Sequence, residues 1–209
     1  MRSPASTRRA ISPGVLSLAR TLVERYGEDP VFAGFYIPQE IDATWFDRDR
    51  LNRLTNHLAR LAEGLRELSL EVEIRISSFA TGRDDPPGFA ALMADLARSG
   101  KLTEVLYQDG LGTERLLPAE SAAYLEALAT SIPRTGVRLR GIVETFAPVA
   151  EGSGFVPAPM ERIAEQLRQA RQLADDDIVA FSISDDLHPA AGHQAELLHD
   201  NYLKYLGIR

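Results

Sequence analysis

Val31-Phe-Ala-Gly-Phe-Tyr-Ile-Pro-Gln-Glu40 is an apolar run that closes on a carboxylate, and Val137-Arg-Leu-Arg-Gly-Ile-Val-Glu144 closes the same way. Each reads as a buried strand, followed by a turn and then a helical pattern. Strands that alternate with helices form parallel sheets through right-handed crossovers. The C-terminal ends of such strands open on one face, and sites are built there. Glu40 and Glu144 are thus expected on a common face, and two carboxylates are the minimum equipment for hydrolysing a glycosidic bond.

Working outward, the same rhythm repeats. Leu16, Ala19, Leu22 and Val23 recur at helical spacing, with Gly27 as a stop signal. Leu51, Leu54, Leu58, Leu61, Leu65 and Leu68 form the stripe of a long helix that packs on a sheet. Leu70 to Phe79 alternates as a strand, and a helix bearing Phe89, Leu92, Met93 and Leu96 follows the Pro/Gly-rich loop Gly82 to Gly88. Glu104 to Gln108 is a short strand ending at Asp109-Gly110, and Glu120 to Ile132 is helical. After Glu144, Ala147 to Pro157 reads as a loop long enough to serve as a lid. Pro159 fits the first position of a helix carrying Ile163, Leu167 and Leu173. Ile178 to Ile183 is a last strand and Leu197 to Leu206 a last helix.

The pattern is one helix followed by five strand–helix units, with no linker-like break: a basic, Ser/Pro-rich flexible segment over 1–13 and one α/β domain over 14–209. Five strands do not close an eight-stranded barrel, whose usual length is about 250 residues. The domain is either an open sheet or a parallel (β/α) barrel without its first three strand–helix units.

Composition narrows the function classes. The chain has 209 residues, enough for one sizeable core. Its formal net charge of −7 disfavours a phosphate backbone, so no nucleic-acid partner is expected. No apolar stretch has the length of a bilayer span, so no membrane partner is expected either. The absence of cysteine removes disulfides, thiolate metal sites and cysteine nucleophiles. The N-terminus lacks the apolar middle of a signal peptide, so as written the chain reads as cytoplasmic.

Four segments occur in order: Gly34-Phe-Tyr-Ile-Pro-Gln-Glu40-Ile-Asp42, Tyr107-Gln-Asp109-Gly-Leu-Gly112, Val143-Glu144-Thr-Phe146 and Pro157-Ala-Pro-Met-Glu-Arg-Ile163. Together they resemble the bacterial domain-of-unknown-function family 4434, over about Gly14 to Leu206. The resemblance implies a TIM barrel related to glycoside hydrolases. It makes the strand ending at Glu40 the fourth of the barrel and the strand ending at Glu144 the seventh. By that placement Glu40 is the general acid/base and Glu144 the nucleophile of a retaining mechanism on a bacterial poly- or oligosaccharide. Tyr107 would then donate its hydroxyl to the nucleophile. The related clan carries Asn where Gln39 stands, and Trp where Phe181-Ser-Ile-Ser184 follows the eighth strand. These departures favour two alternatives: a carbohydrate-binding protein without catalysis, or a barrel fragment without independent activity. A fragment would be completed by an oligomer partner or a missing N-terminal half. An upstream start would also leave periplasmic export or secretion open.

The site candidates follow from these strand ends. Phe35, Tyr36 and Ile37 near Glu40, and Val143 and Phe146 beside Glu144, supply the low polarity that raises a carboxyl pKa. Trp45, the single tryptophan, offers a flat face to a sugar ring. Tyr36, Gln39, Tyr107, Gln108 and Asp109 complete the substrate-binding set. Asp185, Asp186, His188 and His193 match no metal signature and read as a solvated loop. No Gly-x-Ser-x-Gly elbow and no Gly-Lys-Ser/Thr occur, so neither a serine hydrolase nor a nucleotide cofactor is indicated. No cofactor or metal is expected.

Overall fold

The structure, a computed structural model, describes residues 13–42, 47–69, 71–174 and 178–208. Helix α1 (Pro13–Tyr26) leads into β1 (Gly34–Ile41), α2 (Arg48–Leu68), β2 (Glu73–Phe79), α3 (Pro86–Ser99), β3 (Glu104–Gln108), α4 (Pro118–Ser131) and β4 (Arg138–Glu144). A short antiparallel hairpin, β5 (Phe146–Pro148) with β6 (Phe155–Pro157), precedes α5 (Met160–Leu173), β7 (Val179–Phe181) and α6 (His193–Tyr205).

The main sheet is parallel throughout, in the order β1-β2-β3-β4-β7. A doubly wound sheet reverses direction at a switch point. Here strand order follows chain order without reversal, so right-handed crossovers place every connecting helix on one side. The result is a curled half-barrel with helices outside. Among the described residues no helix is long and apolar enough to cross a membrane.

Local chemistry sets the element ends. The Asp47 carboxylate caps α2 by accepting from the amides of Asp49 and Arg50. Asp85 does the same for α3 through the Gly88 amide, with Pro86 and Pro87 filling positions that need no N–H. The leucine stripe of α2 buries Leu54, Leu58, Leu61 and Leu65 against the sheet, as its spacing predicts. The segment expected as a loop over Ala147 to Pro157 is instead largely the β5–β6 hairpin, turned at Gly152 (φ 98°) and Gly154 (φ 124°).

The two faces of the sheet differ in kind. Outward, Ile37, Ile41, Ile74, Ile76, Val105 and Leu139 pack under α2, α3 and α4 in the main apolar core. A second cluster joins Val143 to Ile163, Leu167 and Leu198 beneath α5 and α6. Inward, the lower half of the concave face is ionic. Arg75, Glu104 and Arg138 stand in register across β2, β3 and β4. Glu104 has no solvent exposure; Arg75 Nε lies 2.8 Å and Arg140 Nη2 3.1 Å from its carboxylate oxygens, and Arg138 lies 3.5 Å away. Glu73 pairs with both Arg75 and Arg138.

Candidate active site

Strand alternation decides which residues reach the concave face. On β1, Tyr36 pairs with Arg75 and Glu40 with Ser77, so β1 advances four residues where β2 advances two. The bulge contains Pro38, which a parallel sheet tolerates on an edge strand. Because the excess is two residues, Tyr36 and Glu40 keep the same facing. Tyr36 is half exposed and its hydroxyl donates to Ser77 Oγ at 2.7 Å.

Gln108 ends β3 and ties this side together. Its Nε2 donates to Glu40 Oε1 at 2.9 Å and to Ser77 Oγ at 3.1 Å. That reach, from β3 past β2 to β1, is one that the inward curl of the sheet shortens.

Glu144 ends β4 and is 3% exposed. Its Oε2 accepts from the Gly112 amide at 2.7 Å and the Thr113 amide at 3.1 Å. Burial pushes its carboxyl above the usual range, while the two amides and the charges of Arg115 and Arg162 pull it back. Gly112 is required by proximity: a β-carbon there would lie 2.7 Å from Glu144 Cβ and 2.8 Å from Phe146 Cε2. One segment, Gln108 to Thr113, therefore grips both carboxylates, Glu40 through a side chain and Glu144 through backbone amides. Glu40 and Glu144 sit three strand spacings apart, roughly 14 Å if the sheet were flat, and the inward curl of the sheet shortens that span.

The same alternation sets three of the expected positions on the other face of the sheet. Tyr107 and Asp109 flank Gln108 and so point to the helix side. Tyr107 is buried beside Ser121 and Leu125 of α4, where loss of hydration raises its phenol, and it is not aimed at the cleft. Asp109 accepts from Gln166 of α5 and from the Leu111 amide. Burial pushes it up to about 7, opposed by the Gln166 hydrogen bond and reinforced by the Glu144 charge. Gln39 lines an apolar groove with His57 and Leu61 of α2, again away from the cleft. Trp45 lies outside the described residues.

Residues without an expected role also converge here. Arg162, on α5, donates to the carbonyls of Leu111 at 2.8 Å, of Glu144 at 3.1 Å, and of Phe146. Gln166 adds a bond to the Glu144 carbonyl at 3.3 Å. The stretch read as a solvated loop is a wide turn over Ile183–Leu187 whose Asp186 is buried, accepting from Thr145 Oγ1 at 2.9 Å and the Ser182 amide at 3.0 Å. Asp186 thereby fixes the residue after Glu144. Phe181 stands in register with Glu144, and Phe146 packs against both Phe155 (4.7 Å) and Phe181 (6.2 Å). Phe155 and Phe181 are both exposed. The motifs Asp109-Gly-Leu-Gly112 and Pro157 to Ile163 were the only sequence signals for Gly112 and Arg162.

A solved structure from Bacteroides thetaiotaomicron VPI-5482, of a putative alpha-L-fucosidase, superposes with a TM-score of 0.74 at 17% identity. The match covers 92% of this chain and 62% of that one, and at such identity it shows a common fold. No curated protein matches the sequence. The domain of unknown function DUF4434 matches residues 10–193, nearly the whole half-barrel with the segments that hold Glu40 and Glu144, and the chain belongs to that family.

Proposed function

We propose that this half-barrel is the catalytic part of a glycoside-hydrolase-like protein acting on a poly- or oligosaccharide. The observation that carries the reading is the segment Gln108–Thr113 binding Glu40 and Glu144 at the C-terminal ends of the strands. Glu40, open to solvent, serves as general acid/base, protonating the leaving oxygen and then activating water. Glu144 serves as nucleophile, attacking the anomeric carbon to form a glycosyl ester that the water hydrolyses. Burial raises the Glu144 carboxyl, and the Gly112 and Thr113 amides and the Arg115 and Arg162 charges oppose that rise and favour the anion needed for attack. The exposed rings of Phe155 and Phe181 offer apolar faces to a pyranose beside it. A retaining route requires a carboxyl separation of about 5–5.5 Å in the working protein.

The low exposure of Glu144 supports a second reading, in which the cleft binds sugar without turnover. The test is a screen of aryl glycosides, aryl α-L-fucosides included, and of polysaccharides, with wild type, Glu40→Gln and Glu144→Gln. Turnover abolished by either substitution supports hydrolysis. Turnover surviving both overturns it, and glycan binding without turnover moves the reading to a sugar-binding protein.

A further inference from the structure

The segment Pro157-Ala-Pro-Met-Glu-Arg-Ile163 forms the entry to α5, and the two-carboxylate scheme draws on it only for the Arg162 charge near Glu144. Its product is the placement of one guanidinium. Arg162 Nη1 bonds the Leu111 carbonyl, and Nη2 bonds the carbonyls of Glu144 and Phe146. These acceptors belong to separate pieces of chain: the loop after β3, the end of β4, and β5 of the hairpin. Leu111 immediately precedes Gly112 and Thr113, the two amides on the Glu144 carboxylate.

We infer that Arg162 is a positioning residue that locks the Leu111–Thr113 loop to the end of β4, so that the Gly112 and Thr113 amides stay on the Glu144 carboxylate. The inference rests on Glu144 being the working carboxylate, but its physical content is the geometry of the loop. The planar fork carries its donors on separate nitrogens, so Nη1 and Nη2 reach different pieces of chain at once, whereas an ammonium gathers its three donors on one atom. Burial lowers the Arg162 guanidinium from its usual value, and the charges of Asp109, Glu144, Glu114 and Asp186 around it oppose that shift. The groups acting on Glu144 are Arg115 from the loop, Arg162 from α5, and Asp109 from the end of β3.

The test compares wild type, Arg162→Lys and Arg162→Met by NMR, following the Gly112 and Thr113 amide protons as Glu144 titrates. The lysine variant keeps a charge and loses the fork. The expected result is that both variants speed hydrogen exchange at Gly112 and Thr113 at least tenfold. Both should also raise the Glu144 midpoint, by roughly one pH unit, since loosened amide donors no longer favour the anion. A lysine variant with wild-type exchange and midpoint overturns the proposal, whatever the methionine variant does, because charge alone would then suffice. Should both variants fail to fold, the wild type decides: the Arg162 guanidinium protons and the two amides must lose protection together on warming, and independent loss overturns the proposal. None of these readouts requires turnover, so a failure to cleave any glycoside leaves the positioning result standing on its own.

Discussion

Gly112 lies against Glu144 so closely that the smallest side chain cannot be inserted between them, since its β-carbon would meet Glu144 Cβ at 2.7 Å. The contact is backbone to side chain at the mouth of the sheet. It explains how the Gly112 and Thr113 amides come close enough to hold a buried carboxylate.

Gly112→Ala is expected to push Glu144 off its two amides. Overpacking of this kind costs about 1–3 kcal/mol, measurable by urea denaturation. The Gly112-to-Glu144 bond should be absent in a crystal structure of the variant, and any glycosidase activity should fall in parallel.

Asp109→Asn is expected to stabilise the protein at neutral pH. A carboxyl raised to about 7 in the fold, from 3.8 unfolded, binds its proton more tightly when folded. Its cost is absent at pH values below about 4, grows as pH rises between the two values, and is complete above 7. Removing the charge should flatten that decline and gain about 1–3 kcal/mol at pH 8, read from denaturation midpoints at pH 4, 6 and 8.

Glu104→Ala would leave Arg75, Arg138 and Arg140 facing one another around a vacated carboxylate. Breaking a buried ion cluster from its central partner costs about 3–5 kcal/mol. Thermal melts should show a fall larger than that from any of the exposed pairs, such as Arg98 with Asp95.

Gln108→Leu removes the donor that aims Glu40 while keeping the side-chain volume. If the proposed chemistry holds, turnover should fall about 10–100-fold. The melting temperature should shift by no more than a few degrees. An unchanged rate would show that Glu40 needs no such support.

The order of elements was legible because each unit carries its own period: the α2 leucines at three and four, the β2 residues at two. The facing of individual site residues was not. Gln108 faces Glu40 and Ser77 while Tyr107 and Asp109 face the helices, and only the register of β3 in the sheet settles which. Glu40 and Glu144 were readable as strand ends. Arg162 was not, because its three acceptors are backbone carbonyls, which leave no mark in a side-chain pattern. The hairpin after Glu144 was hidden in the same way, since its Gly- and Pro-rich turn outweighs three-residue strands.

Pro38 sits in the bulge near the middle of β1, an end strand of the sheet among the described residues. It has no N–H to give an incoming chain, so a strand from another molecule would find the ladder interrupted there. Fibre growth begins with such unbroken templating. The kink beside Glu40 thus leaves that stretch of β1 without a continuous row of donors.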